Sequence, residues 1–264
     1  MSIDAIRLEE ERLEDLESGD NYPSFRERHR VFPAIFENRQ HKQIIDTSAG
    51  VGYAAQRIRD HYPADLLCND ISPTCLRTLR DRGLSTVSFD LDDPDVAFPF
   101  PDGHFDAVIS LATIEHLVHV DHFVSETHRI ISDNGYFYLS TPNYASLMYL
   151  PRFALTGKTF HDPLSESRTV RYEFYAHFRY FTYRTLREYV SSFGFVPDTV
   201  YLALPEGSSR YRSLYRSSKL KALTFRYVMK FIYVVFSPRW AAEPILCFRK
   251  APGERDSVPR KVVL

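Results

Sequence analysis

Three clusters in the first half of the chain have residue types and spacing that could hold a ligand or do chemistry. In the first, Ile44-Ile45-Asp46-Thr47-Ser48-Ala49-Gly50-Val51-Gly52-Tyr53, an apolar run ends in an acid and passes through small residues into a helical pattern. Small residues let a ligand approach the backbone, and a helix start offers unpaired N–H groups. In the second, Leu67-Cys68-Asn69-Asp70-Ile71-Ser72-Pro73, an acid closes another apolar run. Asp70 can accept both hydroxyls of a ribose, or cap the helix that follows. Ile71 can lie against a flat base, and Pro73 suits a helix start, where its missing N–H costs nothing. The third comprises Asp90-Leu91 and Leu111-Ala112-Thr113-Ile114-Glu115-His116-Leu117. His116 can take a proton from a hydroxyl near neutral pH, cap its helix, or line a pocket.

The loop leaves its ligand open. Gly50, Gly52 and Ala55 also fit a dinucleotide fingerprint with Asp70 downstream, so a nicotinamide-dependent dehydrogenase is a rival, as is a tight turn with no ligand. The dehydrogenase does not explain Asp46, Asp90 or Glu115-His116-Leu117. It also needs a second catalytic domain for which little chain remains. No His/Asp/Glu group has metal-ligand spacing, and no metal is expected. His161, His177 and Tyr175 lie in an aromatic stretch; each can face a substrate or fill a structural place.

The elements that must position these residues follow from periodicity. Residues 3–18 and 24–38 read as helices. Strands are expected over Lys42–Thr47, Asp65–Asn69, Thr86–Asp90, Phe105–Leu111 and Tyr136–Ser140. Helices are expected between them over Val51–His61, Pro73–Arg82 and Val120–Ile131. Repeated β-α-β units imply an α/β fold with a doubly wound parallel sheet, which binds ligands beyond the carboxyl ends of its strands. After Pro142 the rhythm breaks. A helix is expected over Thr182–Phe193 with Thr182 as N-cap, then strands over Asp198–Leu204 and Pro244–Arg249. The chain thus divides into N-terminal helices (1–39), a ligand-binding core (40–142), an aromatic insert placed as a substrate lid (143–181), completion of the sheet with a basic helical insertion at 208–240 (182–250), and a polar, frayed tail (251–264).

The loop at Asp46, the Asp70-Ile71-Ser72-Pro73 turn, Pro99-Phe100-Pro101-Asp102-Gly103-His104-Phe105-Asp106-Ala107-Val108-Ile109-Ser110 and Glu115-His116-Leu117 together resemble the class I S-adenosylmethionine-dependent methyltransferases of the "methyltransferase domain 11" type. The resemblance is strong over about residues 40–142 and weak through Tyr180–Val190 and Phe193–Phe195. It implies a seven-stranded, mostly parallel Rossmann-like sheet and S-adenosyl-L-methionine as cofactor. Asp46 would orient the amino group of its methionine moiety, with Ser48, Ala49, Gly50 and Gly52 passing beneath it. Asp70 would hold the ribose, Ile71 would pack on adenine, and Asp90 with the Leu91 backbone would meet the adenine amino group. Ala112 and His116 would border the methyl-transfer site, with His116 as candidate base. One departure is Ser48, where the family carries glycine. If that position needs a positive φ, serine is strained by about 1 kcal/mol or more, and Ser48→Gly should tighten cofactor binding. The same departure admits a non-catalytic binding or scaffold protein. Ser140-Thr141-Pro142-Asn143-Tyr144 resembles a subgroup acting on glycans and lipid-linked intermediates, which implies O-methylation of a small-molecule, glycan or lipid-linked acceptor. The 37 Phe and Tyr residues suggest instead a small aromatic or quinone-like acceptor.

Composition bounds the rest. With 264 residues and 44% apolar content the chain can bury a core without staples. Lys plus Arg is 33 against 34 acids, so no nucleic-acid partner is indicated. The three cysteines are odd in number and form no CxxC pair, which implies a reducing, cytoplasmic setting. No signal peptide or spanning helix is expected. Charge is uneven: residues 206–264 carry 13 basic and 4 acidic side chains, and 208–240 has eight Lys/Arg and no acid. Within it, Lys219–Phe236 has helical length, with Lys219, Arg226 and Lys230 on one face beside a broad apolar face. Such a helix can lie on an anionic membrane, or pack on the sheet or a second subunit. The oligomeric state is left open.

Overall fold

Along the central strands, apolar side chains alternate between two buried sides. Ile45, Val108, Phe137, Leu139, Leu246 and Phe248 belong to one core cluster. Their chain neighbours Ile44, Ala107, Ile109, Tyr138 and Cys247 belong to another on the opposite face. A sheet buried on both faces must be covered by helices on both, as the β-α-β rhythm requires.

The computed structural model describes residues 30–158, 174–251 and 257–264, together with Ile6, Arg7, Glu10, Leu13, Pro163, Leu164 and Glu166. Strands β1 (Gln43–Asp46), β2 (Asp65–Asn69), β3 (Ser85–Val87), β4 (Phe105–Leu111), β5 (Ile131–Ser140), β6 (Phe195–Leu202), β7 (Ile245–Lys250) and β8 (Arg260–Val263) form one sheet in the order β3-β2-β1-β4-β5-β7-β6-β8. Only β7 runs antiparallel to its neighbours. Strand order reverses between β1 and β4, so a crevice opens at their carboxyl ends. Helices α1 (Tyr53–His61), α2 (Pro73–Asp81) and α3 (Val120–Ile130) join the parallel strands. Helices α4 (Leu150–Thr156), α5 (Tyr183–Ser192), α6 (Ser209–Ser217) and α7 (Lys219–Val235) follow.

The strands and helices expected from residue 42 onward are present with shifted ends, but residues 31–38 of the helix expected over 24–38 form turns and a short 3-10 segment, Ala34–Phe36, because Pro33 lacks the N–H an α-helix would need there. Thr182 caps α5 in a reciprocal capping box with Thr185. β5 begins five residues earlier than its apolar run, at Ile131, and continues through Asn134, whose φ is 64°. The main correction is the tail. Residues 260–263 do not fray but add an eighth strand beside β6. Lys261-Val262-Val263-Leu264 is short and follows a polar stretch, yet its β-branched residues suit the open edge of β6. Leu264 N donates to Leu202 O at 3.0 Å, and Leu204 N donates back to Leu264 O at 2.6 Å. Most of the expected helix over 3–18, part of that over 24–38, and His161 lie outside the described residues.

Asn143 knots the second half together. Its side-chain nitrogen donates to Arg239 O and Ala241 O at 2.8 and 2.7 Å, and its oxygen accepts from Tyr183 N at 3.0 Å. The root of the insert, the start of α5 and the chain entering β7 are thereby fixed at one point.

Candidate functional site

The loop after β1 is shaped by its two glycines. Gly50 has φ 55° and Gly52 has φ 84°, a region that strains other residues. A Cβ on Gly52 would also stand 2.7 Å from Leu79 Cδ2, so α1 and α2 pack this closely only because the side chain is absent. A Cβ on Gly50 would meet nothing within 4 Å, so this backbone faces open space.

Hydrogen bonds join the loop to its neighbours. Gly50 N donates to Asp70 Oδ2 at 2.9 Å, and Ser72 N donates to Asp70 Oδ1 at 2.9 Å. Asn69, a residue the sequence reading gave no role, ties three loops. Its side-chain nitrogen donates to Thr47 O and Phe89 O at 2.9 and 3.2 Å, and its oxygen accepts from Phe89 N at 2.9 Å. Ser72 caps α2 by accepting from Cys75 N. Glu10 reaches the same corner, accepting from Ser72 Oγ and from Thr74 Oγ1 at 2.6 Å. Burial raises its pKa, but the Ser72 and Thr74 donors outweigh that and hold the carboxyl below its usual range. Nothing in the sequence spacing points to this contact.

Asp46 is buried and accepts from Ser48 N at 3.4 Å. Burial pushes its carboxyl up to about 7, and Asp70 nearby adds to the rise against the Ser48 bond. Such a carboxyl suits a cationic partner, which would draw off its proton. If that partner is an ammonium group of the ligand, binding needs Asp46 ionised. Affinity is then expected to fall as pH drops below about 7, approaching tenfold per pH unit, and Asp46 should release a proton when the ligand binds there. Calorimetry in buffers of different ionisation enthalpy measures both, and Asp46→Asn should remove the pH dependence.

Ser48 corrects an expectation. Among the described residues, the non-glycine residues at positive φ are Asn38, Ala112 and Asn134, so Ser48 is not strained. Its hydroxyl instead bonds the hydroxyl of Thr113, joining the loop after β1 to the loop after β4. Ser48→Gly therefore relieves nothing. It removes that bond and adds unfolded-state freedom, and should cost about 1–2 kcal/mol of stability. Thermal unfolding checks this, and calorimetry should show no gain in cofactor affinity. The strained residue is Ala112, with φ 53°, whose N donates to Ser140 O at 2.9 Å. A non-glycine residue held in this region at the end of a central strand marks a place where neighbours over-determine the backbone.

The third wall follows β3 and β4. β3 ends at Val87, so Asp90 and Leu91 stand in the loop beyond it. Asp90 Oδ1 accepts from Asp92 N at 2.9 Å, and Leu91 is buried. Asp92 carries this loop to the start of α3, accepting from Val118 N and His119 N at 3.0 and 2.6 Å. Ile71 is half-buried at the turn below Asp70.

His116 stands in a short 3-10 turn, Ile114–His116, after β4. Its Nδ1 lies 3.1 Å from Ala176 O. A carbonyl only accepts, so Nδ1 carries the hydrogen and, in the neutral ring, Nε2 carries the lone pair. His177 comes from the far end of the insert, with its ring 4.6 Å from that of His116 and its Nδ1 2.8 Å from Tyr144 Oη. Tyr175 is exposed. The segment is stitched down by Phe178 N and Arg179 N, which donate to Glu115 O at 2.9 and 3.2 Å. Glu115 is wholly buried, and neither carboxylate oxygen has a hydrogen-bond partner among the described residues. Burial pushes its carboxyl up to about 7, with His177 pulling the other way. Glu115, His116 and His177 each offer a ligand-type atom, all within 4.8 Å of one another. Linear spacing could not show this trio, because 60 residues of chain lie between His116 and His177.

The doubly wound sheet, the glycine loop and an acid at the end of β2 define the architecture of class I methyltransferases. The chain belongs to the methyltransferase-domain family, whose sequence profile matches residues 17–200. A malonyl-[acyl-carrier protein] O-methyltransferase of Geobacter sulfurreducens is 32% identical over 111 residues, covering 41% of this chain and 42% of that protein. An ajmaline N-methyltransferase of Rauvolfia serpentina is 32% identical over 101 residues, covering 36% and 34%. The matched segments span less than half the length of these relatives. An S-adenosylmethionine-dependent methyltransferase of Thermotoga maritima shares the fold, with a TM-score of 0.57 at 13% identity over 93% of this chain and 98% of that one. The residues at the site fit S-adenosylmethionine: Gly50 opens the floor, and buried Asp46 suits a cationic group. All three cysteines are buried and free, and no helix among the described residues is long and apolar enough to cross a membrane.

Proposed function

We propose that the chain transfers the methyl group of S-adenosylmethionine to a hydroxyl oxygen of a small-molecule, glycan or lipid-linked acceptor. The observation that supports this reading is His116, hydrogen-bonded at Nδ1 to Ala176 O and packed against His177, in the turn after Thr113, whose hydroxyl bonds that of Ser48 in the loop after β1. Asp46, the Gly50 backbone, Asp70, Ile71, Asp90 and Leu91 would hold the cofactor, which would supply a methyl group made electrophilic by its sulfonium. The protein then has to align the acceptor and remove one proton, and alignment alone can supply much of the acceleration. His116 Nε2 would take that proton. Tyr144 and His177 would hold the neighbouring wall, with Glu115 buried behind it. No metal is needed for these roles, so turnover is expected to survive chelation by EDTA.

A second reading, a small aromatic acceptor, is favoured by the exposed rings of Tyr175, Phe178 and Tyr180 on the segment that carries His177. The scaffold reading loses its ground with the strain at Ser48. The experiment is calorimetric titration with S-adenosylmethionine and with NAD, followed by incubation with hydroxyl-bearing glycans, lipid-linked glycans and phenols. Binding of the first ligand alone, with S-adenosylhomocysteine released in the presence of an acceptor, is expected. Binding of NAD, or of neither ligand, would overturn the proposal.

A further inference from the structure

Helix α7 exposes apolar side chains on the face where a surface helix ordinarily carries polar ones. Ala222, Phe225, Met229, Ile232 and Tyr233 recur at helical spacing and are buried or half-buried against the body. On the opposite face, Leu220, Leu223, Tyr227, Phe231 and Val234 are 74%, 42%, 61%, 62% and 53% exposed. Exposed Lys219 and Lys230 border this outer stripe on one edge and exposed Lys221 on the other, given 100° per residue. Arg226, expected from its spacing on the basic face, turns inward instead and donates to Glu206 Oε1 at 2.5 Å. The helix is anchored at its end, where Lys261 Nζ donates to Val234 O and Phe236 O at 2.5 and 3.0 Å. Its inner face is therefore committed to the protein and its outer apolar face is not.

The hairpin of α6 and α7 leaves the carboxyl end of β6 and returns at the start of antiparallel β7. Both points lie on the sheet edge that carries Asp46, Asp70 and His116. The insert after β5 starts from the same edge and is tied to the return of the hairpin, with Leu147 N donating to Trp240 O at 3.3 Å. Its Leu147, Met148, Phe153 and Leu155 are also exposed.

We propose that the outer face of α7, with its flanking lysines, seats this protein on the surface of an anionic lipid bilayer. Charge selects this occupant. Residues 208–240 hold eight Lys/Arg and no acid. A second copy docked about a two-fold axis would set these like charges against one another, whereas anionic headgroups complement them. An apolar stripe between basic edges is the geometry of a helix lying in the plane of the membrane interface. The contact is peripheral, and it stands whatever reaction the neighbouring site performs.

The test is co-sedimentation of the full chain with vesicles of phosphatidylcholine alone and of phosphatidylcholine mixed with phosphatidylglycerol, at low and high salt. Pelleting is expected with the anionic vesicles and should weaken at high salt. Lys219→Gln with Lys230→Gln should lower the partition coefficient about 25-fold. Leu223→Ser with Phe231→Ser should abolish pelleting, with the far-UV circular dichroism unchanged. Negligible pelleting in every condition would overturn the proposal. So would undiminished pelleting of the Ser variant, or a concentration-dependent dimer that the Ser variant dissolves without any vesicle binding by the wild type.

Discussion

Replacing His116 by alanine is expected to lower kcat by about 10²–10⁴-fold while changing cofactor affinity little. The expectation rests on the Nδ1–H···Ala176 O bond, which makes Nε2 the basic nitrogen of the neutral ring, and on the place of His116 in the turn after β4. Alanine also deletes that bond, so a loss of rate could arise from a displaced 174–181 segment. His116→Gln separates the two causes, because its amide can still donate to Ala176 O but cannot act as a base. A base role requires both variants to be slow, with the acid limb of the wild-type pH–rate profile absent from both. Full recovery in the Gln variant would reduce His116 to a positioning residue. Steady-state release of S-adenosylhomocysteine at saturating acceptor, measured across pH, gives the answer.

What the sequence made legible was whatever is local. A strand ending in Asp46, a glycine loop and a helix form one continuous unit, and Asp65–Asn69 and Phe105–Leu111 are found at the bounds their apolar runs predict. Asp70 beside Gly50 is likewise a contact between two adjacent β-α turns. What stayed hidden depends on long-range closure. The Glu115, His116 and His177 trio needs the insert to fold back over β4, and no periodicity encodes that return. Glu10 against Ser72 and Thr74, and Asn143 against Arg239 and Ala241, are hidden for the same reason. The eighth strand was missed because its signal is only three apolar residues, sufficient when β6 offers an open edge. At Ser48 the error was one of backbone state. Glycine is needed where φ is positive, and in this loop that falls at Gly50 and Gly52.

Asp70→Ala is expected to weaken S-adenosylmethionine binding by about 30- to 1000-fold. A carboxylate receiving two ribose hydroxyls makes charge-assisted bonds together worth roughly 2–4 kcal/mol, and each 1.4 kcal/mol is a factor of ten. Asp70 also holds the cradle together, since its two oxygens accept from Gly50 N and Ser72 N. Each oxygen has capacity for a second donor, so the same carboxylate can fix both turns and grip the ribose. Removing it would leave two loop N–H groups to water and free the Gly50 peptide, whose left-handed φ of 55° depends on such anchoring. Asp70→Asn distinguishes the roles. One amide oxygen can still accept from one of the two N–H groups, so the fold should persist, while the charge and one acceptor are lost. An intermediate affinity for Asn, with an unfolding temperature near wild type, is the expected pattern. Affinity within twofold of wild type for the alanine variant would take Asp70 out of the cofactor site and leave it as the clasp between the first two β-α turns.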